Sequence, residues 1–83
     1  MNATKTTLTT ETFADKVVKL IENTADRVVR GGRETTEKTW TVEITYSKEA
    51  SSRHGMAGYQ RTCFLFGDAA NLFDEFVAAY RAA

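Results

Sequence analysis

Few side chains in this sequence are suited to chemistry: Cys63 is the only cysteine and His54 the only histidine. A thiolate and an imidazole could begin a zinc site, but tetrahedral zinc needs further ligands, and no Asp or Glu stands at a spacing that would complete the set. Cys63 reads instead as a small strand residue. Ser51, Ser52 and His54 lie close together in a loop, yet near-adjacent residues seldom form a nucleophile and base pair, and there is no Gly-x-Ser-x-Gly elbow. Asp74 and Glu75 fall on the wet side of a helical segment, where solvation accounts for them. The residues therefore predict no catalytic group, no metal site and no cofactor, and a chain that is not an enzyme.

Binding groups are easier to find. The segment from Ser47 to Gly58 is long for a hairpin connection, and long loops are more often functional than short ones. Lys48, Arg53 and His54, with Gly55 and Gly58 able to bring backbone N–H groups close to a ligand, suit a phosphate or an acidic partner. The plainer reading makes this segment two strand extensions with a flexible tip around Ser51 to Gly55. Met56, Arg61 and Leu65 complete the set of candidate partner-binding residues. A nucleic-acid surface is the alternative, built from Arg53, Arg61 and the arginines near Gly31, namely Arg27, Arg30 and Arg33. Against it, eleven basic and eleven acidic residues cancel, so no long-range attraction to phosphate is expected. Tyr59 to Phe66 do not reproduce the aromatic signature of RNA-recognition motifs.

These residues need elements to hold them. Trp40 to Tyr46 alternates apolar and polar without a break, the pattern of a strand with one buried face. Thr62 to Phe66 is the other convincing strand. Pairing Trp40 with Phe66, Val42 with Phe64, Ile44 with Thr62 and Tyr46 with Gln60 gathers the large apolar groups on one side. The reverse side then carries Thr41, Glu43, Thr45 and Arg61, together with Cys63 and Leu65.

One helix is expected before this hairpin and one after it, both packed on the Trp40 face. With Thr9 as N-cap, Leu8 and Phe13 form a hydrophobic staple, and Glu11 sits favourably in the first turn. Phe13, Val17, Leu20, Ile21 and Val28 then make one stripe, and Gly31-Gly32 stop the helix. A rival parse ends it near Asp26 and makes Arg27 to Arg30 a short third strand turning at the glycines. Gly31 to Lys38 reads as a polar loop. Asp68 caps a final helix whose Ala69, Leu72, Phe73, Phe76, Val77 and Tyr80 face the core. The expected fold is a small α+β domain over residues 9–83 in α-β-β-α order, an antiparallel hairpin covered by two amphipathic helices, with residues 1–8 as a flexible lead-in.

With 83 residues and 42% hydrophobic content, the chain has material for one modest core, which a partner or a second copy would reinforce. No apolar run reaches the ~20 residues of a membrane span, and Met1 to Thr10 lacks the apolar centre of a secretory signal. A lone cysteine suits a reducing compartment, so a cytoplasmic location is expected. By elimination the sequence points to a non-catalytic protein-binding module acting stoichiometrically. Its size fits a small bacterial or phage accessory protein that inhibits or regulates a larger protein or nucleoprotein complex. A homodimer formed through a free strand edge is a second expectation.

Overall fold

The computed structural model describes residues 3–28 and 31–82. Its elements run β1 (Ala3–Thr12), β2 (Lys16–Val28), β3 (Glu34–Tyr46), α1 (Lys48–His54), β4 (Gly58–Cys63) and α2 (Phe66–Ala82). The strands form one antiparallel sheet in the order β1-β2-β3-β4. The α-β-β-α expectation is thus overturned: the chain opens with three strands, and residues 3–8 belong to the first of them.

The expected first helix is the main error, and its cause is specific. Val18 and Leu20 point to the core and are 0% and 4% exposed, yet Ile21, on the opposite face, is also only 9% exposed. A strand shielded on both faces loses its clean alternation, and a short apolar run of that kind reads equally well as helix. The β-branched content of Val17, Val18, Ile21, Thr24 and Val28 favours the pleated state. Thr9 caps no helix; it pairs with Leu20, and Leu8 occupies a bulge where the register shifts between Thr7 and Thr9. Glu11, assigned to a helix dipole, instead lies 3.0 Å from Arg81 of α2. Gly31-Gly32 stop no helix; as in the rival parse the chain turns there, with φ +95° and +80°. The strand before it is β2 through Val28, in place of a short segment from Arg27, and Val29 and Arg30 lie outside the described residues. Glu34 to Lys38 are strand, not loop.

The β3–β4 pairing also differs from expectation. Trp40 faces Cys63, Val42 faces Arg61 and Ile44 faces Tyr59, a slip of three residues from the expected pairing. An odd slip turns a strand over. Tyr59, Arg61 and Cys63 therefore share the side of Trp40, while Phe64 and Phe66 fall beyond the strand. Glu43 faces Gln60 and Arg61 faces Val42, so Arg61 does not share the reverse face with Glu43 as expected. The slip follows from α1, which occupies what was expected to be a flexible tip. Ser47 caps α1 by accepting the Ala50 N–H at 3.2 Å, and Gly55 ends it at φ +71° with its N–H on the Ser51 carbonyl.

One helix covers the sheet. Ala69, Phe73 and Val77 of α2 bury against Val18, Leu20, Val42 and Ile44, with Phe13, Trp40, Tyr46, Cys63, Leu72, Phe76 and Tyr80 around them. The α2 expectation holds for its core-facing residues, although the helix starts at Phe66, with Asp68 in its first turn. On the opposite face Asn23 donates to Thr41 at 2.8 Å, and the Thr41 and Thr62 hydroxyls are 2.9 Å apart. This polar row crosses β2, β3 and β4.

Replacing Phe73 with alanine should cost about 3–5 kcal/mol in urea unfolding, a large share of what a domain of this size holds. Gly58→Ala should also destabilise the fold, because the added Cβ would run into the Ile44 carbonyl; a melting temperature equal to that of the parent would contradict the β4 register.

Candidate binding strip along strand β4

The candidate residues separate into two places joined by β4. At one end the chain leaves the sheet at Cys63 and bends before α2, so Phe64, Leu65 and Phe66 have no layer to enter. They are 82%, 64% and 50% exposed. Phe66 packs edge-on against Trp40, with ring centroids 6.0 Å apart, which anchors the patch to the core margin. Beside it lies a groove of about 470 Å³ between β4 and α2, lined by Arg61, Cys63, Leu65, Asp68, Leu72 and Glu75 among others. Asp68, Leu72 and Glu75 recur at helical spacing and form its wall. Arg61 projects from the sheet side, and no ion pair involves it among the described residues.

At the other end, Met56 and Tyr59, each more than two-fifths exposed, border a cleft with Ile44, Tyr46, Phe76 and Tyr80. Aromatic contacts hold it in shape: Tyr59 on Phe76 at 5.8 Å, Phe76 on Tyr80 at 6.0 Å and Phe13 on Tyr80 at 5.7 Å. The Lys16 ammonium lies 4.0 Å from the centre of the Tyr80 ring, a cation–π contact. The His54 ring stacks on Tyr46 at 4.9 Å. Burial pushes the Tyr80 phenol above its ordinary value of 10.0, and the neighbouring Tyr46 and Asp15 push the same way.

Of the six residues expected to bind a partner, Arg61 and Leu65 meet in the groove and Met56 borders the aromatic cleft. Lys48, Arg53 and His54 sit on α1, where His54 serves the Tyr46 stack. The arginines of the nucleic-acid alternative do not converge. Arg27 is at the far end of the β2–β3 hairpin, 2.8 Å from Glu37, while Arg53 follows the other end of β3, a strand of 13 residues that spans about 43 Å. Arg30 lies outside the described residues. Cys63, expected on the reverse face, is half-buried and packs against the core beneath α2. Among the described residues no group of three His, Cys, Asp or Glu side chains could hold a metal ion, and no helix is long and apolar enough to cross a membrane.

Phe64 and Phe66 were assigned to the core and are the main residues that sequence reasoning missed. Their alternation with Leu65 fits a strand, so no local signal marked them as exposed; the β3–β4 register, which ends at Cys63, decides it. Compared with protein-family models, curated proteins and solved structures, the chain matches none of them.

The raised Tyr80 value has a definite sign. The folded phenol holds its proton more tightly than the unfolded one, so its contribution to stability is complete below pH ~10 and is lost as pH rises through the folded value. Thermal melting should therefore fall above about pH 10, and Tyr80→Phe should flatten that part of the profile. An identical slope in the variant would contradict the assignment.

Proposed function

We propose that this protein is a non-catalytic binding module whose working surface is the strip along β4, from Met56 and Tyr59 through Arg61 to the Phe64-Leu65-Phe66 patch. The observation that carries this reading is the patch itself: three successive large apolar side chains, each at least half exposed, beside a groove with charged walls. Apolar and aromatic anchors rimmed by charge are the usual composition of a protein-binding surface. The partner on this reading is a protein. The module acts stoichiometrically, in the cytoplasm of a bacterium or a phage-infected bacterium, as an inhibitor or regulator of a larger assembly, which is what its small size and neutral charge suit.

The test is capture by the immobilised protein from bacterial and phage-infected lysates, with a Phe64→Ser, Leu65→Ser variant alongside. Retention of one defined protein or complex by the parent, lost by at least tenfold in the variant at unchanged melting temperature, is the expected result. Equal retention by both would remove the strip as the working surface, and capture of nothing by the parent would sink the reading.

A further inference from the structure

We infer that the edge of the β4 strip from Met56 to Phe64 is occupied by a second copy of this chain, β4 pairing with β4 in antiparallel fashion about Gln60, which leaves Leu65 and Phe66 for the larger assembly; this rests on the reading of the strip as a protein-binding surface. The starting point is an unused ladder. β4 is an edge of the sheet, and the Tyr46 N–H donates to the Ala57 carbonyl at 3.0 Å. Antiparallel alternation then turns the backbone groups of Tyr59, Arg61 and Cys63 toward β3 and those of Gly58, Gln60 and Thr62 outward. The other edge is blunted. β1 carries a bulge at Leu8 and the charged Lys5 and Glu11, devices that discourage pairing, whereas β4 keeps an unbroken register with β3 from Gly58 to Cys63.

Symmetry selects the register. A twofold axis perpendicular to the sheet keeps each side chain on its own face, so a residue can oppose only one of the same parity. Centring on Arg61 would set two guanidinium groups against each other, which is unfavourable for directly opposed like charges. Centring on Gln60 opposes Tyr59 to the partner's Arg61, an arrangement suited to a cation–π contact, and Gly58 to the partner's Thr62. The same register brings Met56, 48% exposed, to the level of the partner's Phe64, 82% exposed. The apolar end of each strip thus meets the opposite apolar end of the other.

The charges agree with this arrangement. Each groove holds one cation, Arg61, against two anions on its own α2, Asp68 and Glu75, and Glu75, next to the Phe76 that packs on Tyr59, is the one level with the partner's arginine. α2 lies over β2 and β3 more than over β4. Two helices so placed would stand about 16–19 Å apart, beyond direct helix packing at 8–10 Å. That leaves a gap for Tyr59 and Arg61 of both copies, and each groove gains the wall it lacks.

Light scattering across micromolar concentrations should find a particle of twice the 9.3 kDa chain mass that dissociates on dilution. Gln60→Pro removes an outward N–H that β3 does not use, and edge strands accept proline at such positions; the expected result is a monomer with the parent's circular dichroism. Should that variant fail to fold, Arg61→Glu is the second arm. It should weaken the dimer on the order of tenfold, since two pairs are lost per dimer, and adding Glu75→Lys, at the level of the Phe76 that packs on Tyr59, should restore it. A 9.3 kDa species at every concentration overturns the inference, as does a dimer indifferent to the variants. A monomer that still captures another protein through Phe64 and Leu65 refutes the dimer alone; a dimer that captures nothing refutes the regulatory reading alone.

Discussion

A single helix must cover a four-stranded sheet, and the rest of the structure follows from that shortage. Four strands at about 4.8 Å spacing are wider than one helix of about 10 Å. α2 therefore spends its three best-buried residues, Ala69, Phe73 and Val77, on the centre, where Val18, Leu20, Val42 and Ile44 meet. Aromatic side chains bridge the margins: Phe13 and Tyr80 toward one side, Tyr59 and Phe76 toward the other. Arg81 reaches Glu11 of β1, an exposed pair that contributes little energy but marks how the helix end is oriented. What α2 cannot reach is the outer half of β4, and the groove is the space left there.

The uncovered face solves the same problem with hydrogen bonds. The Asn23, Thr41 and Thr62 row gives each polar group a partner across strands, and no buried side-chain polar atom lacks one among the described residues. Ile21 is shielded within this face although no helix lies over it. A sheet finished in this way needs no second layer, which leaves the β4 edge and its apolar ends as the surface whose chemistry asks for a partner.

The legible and illegible parts of the sequence divide along a physical line. The strand at Trp40 to Tyr46 was readable because one of its faces is core and the other is not, so period two survives in the residue types. The inward face of α2 was readable for the corresponding reason at period 3.6. β2 was not, because it is central and shielded on both faces, and Val17 to Ile21 then satisfies either period. The candidate site was half legible. Leu65 and Arg61 stood out as residues that packing did not explain, but Phe64 and Phe66 were drawn into a core pairing that the register does not permit.

The sequence by itself determined a small α+β domain, a break in the chain's regular structure at Gly31-Gly32, the helix that closes the fold and the scarcity of groups capable of catalysis. All of these rest on local properties: side-chain periodicity, glycine's access to positive φ, and composition. Only the tertiary structure decided that the N-terminal segment is a hairpin, that β4 is turned over relative to the simplest pairing, and that three large apolar residues end outside the core. Strand pairing and register are non-local, set by which neighbour each backbone finds and by where α1 releases the chain, and no window of sequence contains that choice.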